Sequence, residues 1–168
     1  GEIQYLDSKA FLRDNTSPKS KHHKLRRIVM QGITGVNETN RLKMTIIDGG
    51  IFCGNSANYI LIDDSSIQEE YLLGLLNSRL LNWYFKLFST NSNVNGYQAD
   101  NLPIAKSETF IPKIAGEVKA ILSFTKDKDY LTSSTKQAEV KELERKIDQM
   151  VYELYGLTGE EIGVVEGT

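Results

Sequence analysis

The feature that most constrains the fold is a change of apolar pattern near residue 66. Before it, short runs rich in β-branched residues are separated by Gly and Asn, which predicts strands over 25–32, 42–48 and 58–62. After it, apolar residues recur every three or four positions, as in helices. The 168 residues are 40% hydrophobic, enough to bury one core. We therefore predict an α+β fold, with a small, mostly antiparallel sheet packed on a long apolar helix and a C-terminal helical region after it.

The predicted long helix covers residues 66–88. Ser66-x-x-Glu69 matches a capping box, in which each side chain accepts from a free backbone N–H at the helix start. Because the segment is apolar on most of its circumference, we expect it to be buried against the sheet.

The C-terminal third predicts further helices. Amphipathic patterns cover 110–122 and 137–155, and Gly156 is placed to end the second helix in a left-handed conformation. A last short helix is predicted from the capping box Thr158-x-x-Glu161.

Loops are predicted between these elements. Residues 7–24 are polar and basic and are expected to form a mobile loop, and residues 89–98 form an Asn-rich loop with one Gly. Asp48-Gly49-Gly50 is interpreted as the tight turn of a hairpin, because Gly accepts the positive φ that such turns require.

The content of Cys and His excludes several kinds of site. The single cysteine, Cys53, leaves no internal disulfide and no multi-cysteine metal site, and we expect it to be a buried structural thiol. With only His22 and His23, a His-rich metal site is excluded too, so no metal ligands are predicted.

The chain carries no sign of a membrane protein. No stretch approaches the roughly 18–20 apolar residues of a membrane span. Residues 1–7 lack a signal pattern, so the cytoplasm is the expected location. Since there is no initiating Met, we expect a piece of a longer protein.

No catalytic residues are predicted. His22 and His23 are neighbours without a carboxylate nearby, which favours exposed loop histidines over catalysis, with phosphate or base contact as the alternative. The acidic pairs Asp63-Asp64 and Glu69-Glu70 lie near a predicted helix start, where carboxylates complement the helix dipole. A stand-alone hydrolase is the weakest hypothesis, for lack of a nucleophile–base pair.

The net charge of −2 hides an asymmetry along the chain. Residues 1–60 carry nine Lys and Arg against five Asp and Glu, and the rest of the chain is acidic. A sequence pI near 5.8 argues against a nonspecific polyanion binder but allows one basic face.

The side chains that best suit nucleic acid lie in the basic N-terminal loop, the sheet-edge loops and the 89–98 loop. Lys and Arg can neutralise phosphates, while Asn and Gln can pair with adenine edges. The candidates for phosphate contacts are Lys19, Lys21, Lys24, Arg26, Arg41 and Lys43. The candidates for base contacts are His22, Asn91, Asn93, Asn95 and Gln98.

Several segments, taken in order, resemble one known family. They are 28–33 (IVMQGI), 50–62 (GIFCGNSANYILI), 71–85 with its LLNS stretch, 102–104 (LPI) and 147–162. The chain resembles the TaqI-like C-terminal specificity domain, the target recognition domain of type IIG restriction enzymes and related adenine-N6 DNA methyltransferases. The similarity runs over about residues 24–162, and specificity subunits of type I systems share part of it.

The resemblance implies a role in a larger enzyme. Such a domain docks in the major groove of double-stranded DNA and selects a short sequence. A separate methyltransferase domain of the same parent chain flips an adenine and methylates it from S-adenosylmethionine, and in type IIG enzymes a nuclease domain, with Mg²⁺, also cuts. This chain has no Asn/Asp-Pro-Pro-Tyr motif, so no catalytic residue is carried over.

With the resemblance, the chain divides into three parts: a basic N-terminal arm (1–24), a target recognition core (25–105) and a C-terminal helical region (106–168). An alternative of another class is a protein-interaction or assembly module that uses the amphipathic helix 137–155, whose apolar residues have coiled-coil-like spacing.

Overall fold

The computed structural model describes residues 7–54, 56–62 and 67–167. Its strands are β1 (Arg27–Gln31), β2 (Met44–Ile47) and β3 (Ala57–Ile60). Its helices are α1 (Ser8–Asp14), a 3₁₀ helix (Pro18–Lys24), α2 (Glu69–Asn77), α3 (Arg79–Phe88), α4 (Gly96–Ala99), α5 (Phe110–Lys126), α6 (Ser134–Tyr155) and α7 (Gly159–Glu166). The predicted α+β class is confirmed.

The sheet is antiparallel with β1 in the middle, in the order β2-β1-β3. Val29 pairs with Thr45 on one side and with Tyr59 on the other. Because β2 and β3 lie at opposite edges, the segment between them crosses the end of β1. The prediction of a hairpin at Asp48–Gly50 is therefore wrong, although Gly50 does adopt a positive φ of 98°.

The single helix predicted over 66–88 is divided in the structure. Ser78 has extended backbone angles, φ −63° and ψ 154°, and separates α2 from α3. Its hydroxyl donates to the Leu75 carbonyl at 2.6 Å and accepts from the Leu81 N–H at 3.3 Å. A serine that bonds to nearby backbone in this way competes with helix continuation. Ser66, half of the predicted capping box, lies outside the described residues.

The helix α2 is the centre of the core. Residues 71–76 are all buried, which fits their apolar character on every side. At Gly74 the helices α2 and α5 approach closely, since an added Cβ would stand 2.6 Å from Cγ2 of Ile114. The helix is thus covered by the sheet on one side and by α5 on the other.

Two asparagine side chains form hydrogen bonds with the backbone of β2, at the edge of the sheet, and of the segment that precedes it. The Asn77 side chain accepts from the Met44 N–H and donates to the Met44 carbonyl, both at 3.0 Å, as a neighbouring strand would. The buried Asn82 accepts from the Leu42 N–H at 2.7 Å. These bonds occupy an edge that would otherwise offer free backbone groups for pairing. They also give a physical role to the LLNS stretch.

The C-terminal helices agree with the sequence prediction. The helix α6 ends at Gly156, which has a φ of 69°, and α7 begins with the Thr158–Glu161 capping box. The apolar stripe of α6, which includes Val140, Ile147 and Val151, is buried within this chain. None of the helices among the described residues has the length and apolar character needed to cross a membrane.

The N-terminal arm differs from the prediction of a mobile loop. Residues 8–14 form α1, whose first turn is capped by the Asp7 carboxylate at 3.0 Å from the N–H groups of Lys9 and Ala10. Residues 18–24 then form the 3₁₀ helix, with Pro18 in its first turn. A side-chain cap and a proline at a helix start are local signals that the sequence interpretation missed.

Candidate nucleic-acid interface

The Asn-rich loop is joined to the segment that follows β1. The Thr34 N–H donates to the Ser92 carbonyl at 2.8 Å, and the Val94 N–H donates to the Gly32 carbonyl at 2.9 Å. Ile33 and Asn93 form an antiparallel bridge between them. Residues 32–43 and 89–98 therefore form one surface, which we call the joined loops.

Arg41 holds the joined loops together from inside. Its side chain is 0% exposed. The guanidinium donates to the Thr34 hydroxyl and the Ser89 carbonyl at 3.0 Å each and to the Asn91 carbonyl at 2.6 Å. It also lies over the Phe85 ring, with its central carbon 5.5 Å from the ring centroid. Burial lowers the pKa of Arg41. The sequence predicted a phosphate contact here, but such a contact needs an exposed cation.

The predicted base-contacting residues of this loop fall into two groups. Asn91 and Asn93 are exposed, although the Asn91 side-chain oxygen accepts from the Asn93 N–H at 2.9 Å. Gln98 is buried and accepts from the Asn95 N–H at 3.1 Å, and the two residues form the capping box of α4. The side chains of Asn95 and Gln98 thus shape the loop, whereas those of Asn91 and Asn93 face solvent.

Three apolar side chains are exposed on or beside these loop residues. Ile33 is 56% exposed, Val36 45% and Tyr97 66%. The sequence interpretation did not select them. The sequence signal that indicates these three residues is their apolar character within loops that are otherwise polar and contain glycine. A side chain of this kind can contact the methyl group of thymine.

The lysines of the 3₁₀ helix have the exposure that phosphate contacts need. Lys19, Lys21 and Lys24 are all exposed, and none takes part in an ion pair within the described ranges. His22 on the same helix is half-buried, with its Nδ1 atom 2.8 Å from the Tyr59 hydroxyl.

The remaining predicted phosphate contacts are already paired with carboxylates. Arg26 bonds to Glu69, lies 2.9 Å from Glu70 and 3.5 Å from Asp48, and the hydrogen bond with Glu69 raises the pKa of Arg26. Lys43 lies 3.0 Å from Glu38 in an exposed pair. These two cations are less available to DNA than the lysines of the 3₁₀ helix.

The two polar regions lie at opposite ends of β1. The joined loops follow Gln31 at one end, and Arg27 at the other end bonds to the His22 carbonyl of the 3₁₀ helix at 3.1 Å. A strand of this length spans on the order of 13 Å. The strand length is therefore close to the roughly 12 Å width of the DNA major groove.

The family model of the TaqI-like C-terminal specificity domain matches residues 3–104. The chain belongs to this family. The TaqI-like specificity domain recognises DNA sequence in restriction–modification enzymes and is not itself catalytic. No curated protein matches the chain significantly.

The match shows which elements of the structure belong to the family. It includes α1, the 3₁₀ helix, the sheet and both joined loops, so the N-terminal arm belongs to the TaqI-like specificity domain. The resemblance seen in the sequence covers about residues 24–162, whereas the family model begins earlier and stops before α5. The similarity of residues 147–162 to the family therefore stays a prediction.

Proposed function

We propose that this TaqI-like specificity domain selects the target of an adenine-N6 DNA methyltransferase of a restriction–modification system, by inserting the joined loops into the major groove of double-stranded DNA. The observation that carries the proposal is the Arg41 cluster. Four acceptors on two loops, Thr34, Ser89, Asn91 and Asn93, converge on one buried guanidinium. A surface fixed in this way holds base-contacting groups in register before DNA arrives, and pre-ordering lowers the entropic cost of binding.

The base contacts of the proposal come from the exposed members of the joined loops. Asn93 and Asn91 can offer side-chain amides to adenine, and Ile33, Val36 and Tyr97 can offer apolar contact to thymine methyl groups. The side chains of Asn95 and Gln98 act indirectly, since they bond to each other and not outward.

The phosphate contacts come from the arm. Lys19, Lys21 and Lys24 are exposed cations on one short helix, at the end of β1 away from the joined loops. Such contacts set register and affinity but carry no sequence information. They are also expected to make binding depend on salt.

The remaining chemistry belongs to the parent protein. In this proposal a methyltransferase domain of the same chain binds S-adenosylmethionine and modifies the flipped adenine, in the cytoplasm. If the parent also cuts, as type IIG enzymes do, a nuclease domain and Mg²⁺ are required. This chain supplies the choice of sequence.

Selection from a randomised duplex pool tests the proposal. The chain is incubated with the pool at low and at moderate salt, and bound DNA is sequenced. We expect a short motif that survives the added salt. Binding without a motif that disappears as salt rises would contradict sequence selection by this domain.

Matched variants identify the residues involved. Asn93→Ala and Tyr97→Ala are expected to relax the motif at one or two positions, each costing about 1–3 kcal/mol of discrimination. Gln149→Ala, an exposed amide on α6 outside the family match, is the control and should leave the motif unchanged. An unchanged motif in both loop variants would remove the joined loops from the proposal.

A further inference from the structure

A small cavity lies between the 3₁₀ helix and the sheet, at the end of β1 away from the joined loops. Its volume is about 200 Å³, several times the roughly 30 Å³ that one water occupies. Its polar lining includes Lys19, His22, His23, Arg27 and Tyr59, and none of the described residues that line it is acidic. A group of a few heavy atoms with negative charge would fit this space.

Arg27 carries a buried charge next to the cavity without a matching carboxylate. The side chain is 2% exposed. Its two terminal nitrogens donate to carbonyls of His22, Leu25 and Ile51 and to the Cys53 thiol. Its Nε atom has no hydrogen-bond partner, and no ion pair among the described residues includes Arg27. A buried cation held only by neutral groups favours an anion nearby.

The walls of the cavity are fixed in place. The His23 Nδ1 atom lies 2.6 Å from the Ser20 carbonyl, so this nitrogen carries the hydrogen, and the ring stacks on Phe52 with centroids 4.3 Å apart. The His22 ring meets Tyr59 edge-on and is held by the hydroxyl contact. The space is therefore formed without rearrangement, which limits the cost of filling it.

Lys19 distinguishes this place from the rest of the arm. The 3₁₀ helix presents Lys19, Lys21 and Lys24, but only Lys19 lines the cavity. Both Lys19 and Arg27 line the cavity, so two positively charged residues belong to one site. Charge-assisted bonds of this kind are the usual means of holding phosphate oxygens.

We propose that this cavity binds a phosphate group between Lys19 and Arg27. The inference rests on the proposed function only for the source of the phosphate, which would then be the backbone of the target DNA. Occupied in this way, the site would anchor one DNA strand while the joined loops, at the other end of β1, contact bases.

Inorganic phosphate tests the site without DNA. The melting temperatures of the wild type, Lys19→Ala and the control Lys119→Ala, an exposed lysine of α5 outside the family match, are measured with rising phosphate against chloride of equal ionic strength. A ligand that binds only the folded state raises the melting temperature. We expect the rise in the wild type and in Lys119→Ala, and about tenfold weaker apparent phosphate binding in Lys19→Ala. No rise in the wild type, or an equal rise in all three proteins, would overturn the proposal.

A competition experiment identifies the source of the phosphate. Duplex DNA is bound to the wild type, and inorganic phosphate is added at constant ionic strength. Displacement that is lost in Lys19→Ala and kept in Lys119→Ala would place a DNA phosphate in the cavity. Stabilisation without displacement would show a site for a free phosphate. A stabilised protein that selects no DNA motif would keep the site and reject the proposed function.

Discussion

Residues 27–104 and residues 110–166 share one apolar core but differ in their buried polar groups. In the first region, buried polar side chains connect backbone segments that are far apart in sequence, as Arg41 and Asn82 do. In the second, α5 and α6 meet along apolar stripes, α6 ends at Gly156, and α7 begins with the Thr158 capping box. The first region therefore depends on a few hydrogen-bonding groups in addition to apolar burial, and the second depends mainly on apolar area.

Within the first region, the two buried arginines also differ. Each nitrogen of the Arg41 guanidinium has a partner, so that cluster is closed. At Arg27 the Nε atom has no partner among the described residues, and the side chain lines a cavity. The comparison suggests a structural role for one arginine and a binding role near the other.

The largest effect is expected from Arg41→Ala. It leaves three carbonyls and the Thr34 hydroxyl without their donor, which should lower the free energy of unfolding by roughly 3 kcal/mol. Arg41→Lys should lose less stability but much of the sequence preference, because an ammonium cannot reproduce the planar fork of donors. Urea denaturation measures the first effect, and the duplex selection measures the second.

Lys43→Ala is the matched control for this prediction. Lys43 is a nearby exposed cation in a surface pair, so its loss should change stability by less than about 0.5 kcal/mol. A similar result for both variants would mean that the joined loops do not depend on the buried arginine, and the contrast between the two regions would fail.

The local features of this fold were predictable and the long-range ones were not. Gly156 and the Thr158 capping box are signals within a few residues, and the structure confirms both. The acceptors of Arg41 on the Asn-rich loop lie 48 to 52 residues further along the chain, so its residue type alone indicated only an exposed cation. The sequence did not predict that the helix is interrupted at Ser78, because the apolar pattern continues through this residue.

Asn82→Ala is expected to have the next largest effect. The buried Asn82 amide accepts from the Leu42 N–H and donates to the Ser78 carbonyl. Because the variant leaves both buried groups without this partner, the free energy of unfolding should fall by about 2 kcal/mol. Asn77→Ala removes two bonds to Met44 at an exposed position and should cost about 1 kcal/mol.

Asn37→Ala, an exposed asparagine of the joined loops, is the control for both asparagines and should be neutral within about 0.5 kcal/mol. If Asn82→Ala proves as mild as the control, the segment that leads into β2 does not depend on the buried Asn82 amide. The first region would then resemble the second.

The last effect is confined to a window of pH and concerns Asp148, where the helical region contacts the first through a polar group. The buried carboxylate accepts from the Arg79 N–H at 2.8 Å and lies 3.3 Å from the Arg79 Nε atom. Burial raises the pKa of Asp148 from 3.8 to about 6; the bond and charge of Arg79 oppose this shift, and the charges of Glu144 and Glu166 add to it. In the folded state the acid therefore keeps its proton to a higher pH than in the unfolded chain.

The sign of the pH dependence follows from that shift. Between pH 3.8 and about 6 the folded state binds more protons than the unfolded state, so the contribution of Asp148 to stability falls as pH rises through this window. Asp148→Asn stays neutral and keeps an oxygen for the Arg79 N–H. Relative to this variant, the wild type should lose about 1–2 kcal/mol of unfolding free energy between pH 4 and pH 7. Urea denaturation at several pH values measures the difference, and the Asp148 carboxyl titration can be followed by NMR. A difference that grows in the opposite direction would mean that the Arg79 charge outweighs burial, and that the helical region too depends on a buried ion pair.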